Sequence, residues 1–133
     1  MTQAQVERVG RQWQQRFKVG HWEVEFKAVQ ADKFPFQDGY CHGNCNWNME
    51  TLTATIQVAA LQKTDADVVS TIVHELLHLV IVPIVWAGYM AASQLHPDAD
   101  RLAREMLDLE HERAVRSLER GFASMIDENV RRK

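Results

Sequence analysis

The sequence predicts a small α+β domain: one helix, three strands in a single mostly antiparallel sheet, then two helices. Three observations carry this. Apolar residues recur at three- and four-residue steps near the N-terminus, alternate with polar ones over two stretches in the middle, and return to helical spacing after residue 64. Strands grouped between helices, without strict alternation of the two, fit an α+β architecture. The chain has 133 residues, which suits one domain over 1–133. It is 46 % hydrophobic and 25 % charged, enough apolar mass for a core and too much for a disordered chain.

Gln3 to Phe17 reads as a helix because Val6, Val9, Trp13 and Phe17 share one face, and Val19-Gly20 ends it. Trp22 to Val29 alternates, with Trp22, Val24, Phe26 and Ala28 on one side and Glu23, Glu25 and Lys27 on the other, as in a half-buried strand. Pro35 and Asp38-Gly39 mark a loop over Ala31–Gly39. Tyr40 to Asn46 is a second strand, followed by a turn at Asn48–Glu50. Leu52 to Ala59 alternates again and is the third strand.

Thr64-Asp65-Ala66-Asp67 has the form of a helix start, and Pro83 predicts a stop near Ile81. Pro97-Asp98 opens a last helix reaching Glu119 or beyond, with Gly121 as a weak point.

Net charge is −3, so no basic surplus suggests a nucleic-acid partner. Cys41 and Cys45 on a strand would lie about 13 Å apart, too far for a disulfide, and free thiols suit a cytoplasmic protein. The N-terminus has no apolar signal core. Leu76–Ala92 is strongly apolar, but extending it to membrane-span length takes in His74, Glu75 and His78, so a membrane partner is not expected.

The chemistry lies in His74-Glu75-Leu76-Leu77-His78. On a helical wheel, Asp67, Thr71 and His78 fall within about 60° of His74, while apolar residues fill the opposite arc. The helix is therefore buried nearly all round and keeps one polar stripe, the stripe carrying both imidazoles. Histidines one turn apart can direct two ring nitrogens at a single Zn²⁺ ion. Glu75, on the shoulder of that stripe, can serve as the general base toward a water activated by zinc. The plain alternative is a pair of satisfied histidines in an ordinary helix.

The third ligand must come from elsewhere. Ile81 and Ile84 stand where the extended HExxHxxGxxH pattern has its glycine and last histidine, which excludes that arrangement. On the last helix Glu112 sits amid Leu109, Val115, Leu102 and Phe122, where an unpaired carboxylate is costly, and this makes it the first candidate. Glu105 and Glu119 lie near the same line, and His96, His111 and Glu110 are further alternatives. Tyr89 or His111 could stabilise an oxyanion. Cys41-His42-Gly43-Asn44-Cys45 could hold a second metal, but a closed zinc site wants four ligands and buried core thiols are the simpler reading.

The order of the "TATIQVA" strand, the "VVSTIVHELLHLV" helix and "EHERAVRSLER" on a later helix resembles the compact zincin metallopeptidases: minigluzincins, SprT-like proteins and small phage-type metallopeptidases. The resemblance covers roughly residues 22–120, and the HELLH segment is its specific part. It implies zinc at His74 and His78, Glu75 as base, Glu112 as glutamate ligand, and Leu52–Ala59 as the edge strand that pairs with an extended peptide. The expected function is therefore a zinc-dependent endopeptidase acting on a protein or peptide. Two other classes fit the same residues: a zinc-containing peptide-binding or assembly protein without turnover, and a hydrolase of a non-peptide amide. The minigluzincin likeness also raises latency, with Gly121 letting Phe122, Met125 and Ile126 fold back over the cleft and Asp127 or Glu128 reach the metal; the plainer alternative is that the helix simply continues, since Phe122, Met125 and Ile126 also keep helical spacing.

Overall fold

A computed structural model describes residues 1–32, 34 and 41–131. The predicted loop at Pro35 and Asp38-Gly39, the expected strand start at Tyr40 and the last two residues lie outside the described residues. The elements run α1 (Gln3–Arg16), β1 (Glu23–Val29), β2 (Gly43–Asn48), β3 (Thr53–Ala59), α2 (Asp65–Ala92) and α3 (Pro97–Arg131). The α+β class is as expected.

Helix α1 starts in a capping box: Gln5 N donates to Thr2 Oγ1 and Thr2 N donates to Gln5 Oε1. Its buried face, Val6, Val9 and Trp13, packs on the sheet and on α2. Gln3 bridges to the outer edge of β1: its Nε2 donates to Phe26 O at 2.7 Å, and Ala28 N donates to its Oε1 at 2.7 Å. Two backbone groups of that edge, Phe26 O and Ala28 N, are thereby satisfied.

The sheet corrects two expectations. It is mixed rather than mostly antiparallel, with order β1-β3-β2: β3 runs parallel to β1 and antiparallel to β2. Leu52–Ala59 is accordingly the centre of the sheet and not its edge. Composition explains the placement. β3 buries Ala54, Ile56 and Val58 and can serve as the middle strand, whereas β2 carries Asn44, Asn46 and Asn48, poor strand formers that suit an edge. In the β2–β3 turn, Asn48 Oδ1 accepts from Glu50 N and Thr51 N, and Leu52 takes a positive φ of 53°.

Helix α2 also corrects the sequence reading, because it passes through Pro83 and ends at Ala92 rather than near Ile81. Pro83 is exposed, and the buried Val82, Val85 and Ala92 around it keep the helix against its neighbours. That packing outweighs one missing backbone hydrogen bond. A capping box forms the start, with Asp67 N donating to Thr64 Oγ1 and Thr64 N to Asp67 Oδ2. By length and composition alone α2 could cross a membrane, yet 56 % of its most apolar window is buried in the fold, where it is the central core helix.

Helix α3 runs antiparallel along α2 and then past it. Near the hairpin turn, Arg104 donates to Tyr89 O, Tyr89 Oη donates to Asp108, and Gly88 lets Leu107 approach so closely that a Cβ would lie 2.8 Å from its methyls. At the other end Phe122 packs edge-on to Phe17 and Trp13, with ring centroids 5.0 and 6.1 Å away, and Ile126 is buried. Gly121 does not interrupt the helix. The tail therefore does not fold back: Asp127 lies about 22 Å along the helix axis from Glu112. Phe122 is committed to α1.

Candidate metal centre

His74 and His78 project from α2 toward α3 because the opposite arc of α2 is occupied by the core residues Val69, Ile72, Val73 and Leu76. Across from them, α3 presents His111, Glu112 and Glu119 around the buried Val115. His74, His78 and Glu112 each place a ligand atom within 4.8 Å of the others, so this trio could hold a metal ion. His78 Nε2 is 3.2 Å from Glu112 Oε1, and His74 Nε2 is 3.7 Å from Glu112 Oε2.

The Nδ1 atoms face the other way and are occupied. His74 Nδ1–H donates to Glu119 Oε2 at 2.9 Å, and Ser70 Oγ donates to Glu119 Oε1 at 2.7 Å. His78 Nδ1 lies 3.0 Å from His111 Nε2. A proton on His78 Nδ1, with His111 accepting, would leave His78 Nε2 with a free lone pair, as the bond to Glu119 does for a neutral His74. Those two lone pairs converge on one carboxylate. Two neutral nitrogens and an oxygen fit zinc or a similar divalent ion, and the outer partners are what a metal-binding histidine requires.

The protonation tendencies follow from the surroundings. The Glu119 carboxylate raises the pKa of His74, and in return His74 lowers that of Glu119. Burial, with His111 and His74 alongside, drives His78 down to about 3, so its ring is neutral throughout the physiological range. Burial also lowers His111. Glu75 is 6 % exposed, and desolvation raises its pKa to about 7, with nearby Glu112 and Glu119 acting in the same direction. Its Oε2 lies 3.9 Å from His78 Nε2, beside the trio and not within it.

Glu75 is covered from the sheet side by β2. A Cβ at Gly43 would lie 2.6 Å from both Glu75 Oε1 and Thr71 Cγ2, so only glycine allows β2 to close down here. Gly43, Asn44, Cys45 and Trp47 on β2 form one wall of an open cleft of about 970 Å³. Glu112, Arg116 and Glu119 on α3 form the other wall, and the histidines form the floor.

No family model matches the sequence, and no curated protein or solved structure is significantly similar to the chain. The functional reading therefore rests on this geometry.

The structure brings together His74, Glu75, His78 and Glu112. Glu105, Glu110 and His96 are outside the trio. Of the apolar residues expected around Glu112, Val115 is buried and Phe122 packed, but Leu102 and Leu109 are 57 % and 53 % exposed. His111, weighed as a ligand or oxyanion group, instead holds the outer nitrogen of His78. Tyr89, also weighed for the oxyanion, donates to Asp108. Glu119 and Ser70 were not read as supports. Their signal was available, since Ser70 precedes His74 by one turn and Glu119 follows Glu112 by two. Among the described residues His74, His78 and Glu112 form the one metal-capable group, and Cys41, His42 and Cys45 are not part of it. Both cysteines are free: Cys41 Sγ donates to Gly43 O, and Cys45 packs against the core, with burial pushing its thiol pKa far up.

Proposed function

We propose that this chain is a zinc-dependent endopeptidase of the compact zincin type, working in the cytoplasm on a protein or peptide substrate. The observation that carries the proposal is the orientation of the two imidazoles, each fixed by an outer partner so that Nε2 faces Glu112, with a desolvated carboxylate alongside. His74, His78 and Glu112 would hold the ion. Zinc bound there supplies a Lewis acid that polarises a carbonyl and makes water easier to deprotonate near neutral pH.

The remaining work falls to the chain itself. Glu75, a desolvated carboxylate beside the trio, takes a proton from the attacking water and returns it to the leaving amide nitrogen. Glu119 and His111 keep the imidazoles aimed. β2 is an edge strand on the cleft wall, so an extended peptide can add to it, a role closed to Leu52–Ala59 at the centre of the sheet.

Elemental analysis of protein purified without chelator should give about one zinc per chain, lost in a His74→Ala/His78→Ala variant. A panel of unstructured proteins and peptides should be cleaved by the wild type and not by Glu75→Gln, with zinc retained in the latter. Zinc retained by the double-histidine variant sinks the centre. Cleavage undiminished in Glu75→Gln sinks the role of Glu75.

A further inference from the structure

Most of the exposed large apolar side chains among the described residues lie on the α2–α3 hairpin. Three form a line on α3: Leu102, Met106 and Leu109, 57 %, 60 % and 53 % exposed. Their steps of four and three residues place them on one face over two turns. That face is turned away from α2, because α3 meets α2 through Asp108, His111 and Val115, more than about 90° round the helix. The line is bracketed by charges of opposite sign, Asp98 one turn before Leu102 and Arg113 one turn after Leu109.

This pattern is self-complementary in one direction only. Let a second α3 lie antiparallel across the first, with the twofold axis between residues 105 and 106. Leu102 then faces Leu109 of the other copy, Asp98 faces Arg113, Met106 lies beside the axis opposite Glu105, and symmetry repeats each contact. A parallel arrangement would set Asp98 against Asp98 and Arg113 against Arg113. Arg113 already pairs with Glu110 at 2.6 Å, but both side chains are about two-thirds exposed, so exchanging that partner costs little. Glu105 stands on the shoulder of the face, about 60° off the apolar line.

We propose that this face of α3 is a homodimer interface, its occupant being a second copy of the chain in antiparallel register. A lipid surface suits the face less well, since Asp98 would leave water there without the Arg113 partner that a second copy offers. The contact is one helix wide, so the dimer should dissociate on dilution.

Sedimentation equilibrium of the full chain over a wide concentration range tests this, with metal content measured in every sample. The wild type should show a monomer–dimer equilibrium, and Leu102→Ser with Leu109→Ser should remain monomeric. Asp98→Arg and Arg113→Asp should each weaken the dimer at least about fivefold at low salt, and the double charge swap should restore it. A wild type that is monomeric throughout, a dimer that survives the leucine changes, or a double swap no better than the singles would overturn the proposal. So would binding to mixed neutral and anionic vesicles in place of self-association.

Discussion

Glu75 is buried against Gly43, and in the metal-free chain the neighbouring His74 only partly offsets that desolvation, so its ionisation works against folding. An unfolded glutamate titrates near 4.5 and the folded one near 7. A raised folded-state pKa means that the contribution to stability is fully present below the unfolded pKa and is lost as pH rises through the folded one. Metal-free wild type should therefore lose stability between about pH 4.5 and about pH 7. Glu75→Gln, which carries no charge, should be more stable than wild type by about 3 kcal/mol at pH 8 and no different at pH 4. Urea unfolding in chelator at the two pH values measures this; an equal difference at both would contradict the desolvation account. The outer partners give a second prediction at the same scale. Glu119→Gln and His111→Ala should each weaken zinc binding about ten- to a hundredfold while leaving the trio intact. Competition against a fluorescent chelator reads this directly, and unchanged affinity in both would remove the support role assigned to them.

At the scale of elements, two glycines make opposite predictions. Gly43→Ala forces a methyl into Glu75 and Thr71, so β2 must lift from α2. We expect a loss of about 1–3 kcal/mol, together with impaired hydrolysis in protein that still binds zinc through α2 and α3. Gly121→Ala meets nothing within 4 Å inside a continuous helix and should stabilise by about 1 kcal/mol. Chemical denaturation of both variants checks the signs. The elements also show how far the sequence could be read. Alternation located β1 and β3 to within a residue, because one face of each is buried and the other is more exposed along most of its length. Pairing order was not legible, since parallel and antiparallel partners demand the same alternation; only the asparagines of β2 hinted at an edge. Pro83 misled because its local cost is visible in sequence, whereas the packing of Val82, Val85 and Ala92 around it is not.

At the scale of the whole molecule, the HELLH residues were legible because one short segment fixes their geometry. Glu112 was reachable only through a wheel whose apolar face proved partly exposed. The true reason for its position is the docking of α3 at two places, on Tyr89 near the hairpin and on Trp13 and Phe17 at the far end. Glu112 lies between these two anchorages, on a different helix from the histidines, so an ion held by all three joins α2 to α3 in the middle. The consequence concerns the protein's breathing. Without metal, the middle of α3 can open while both ends stay attached, and its amides should exchange with deuterium through that partial opening. With zinc bound, the local route closes and the same amides should exchange only when the chain unfolds as a whole, slowed together with those around His74 and His78 on α2. Protection rising over residues 108–119 but not over α1 on adding one equivalent of zinc is the expected signature. Uniform slowing of every helix would mean that α2 and α3 open only together with the rest of the fold.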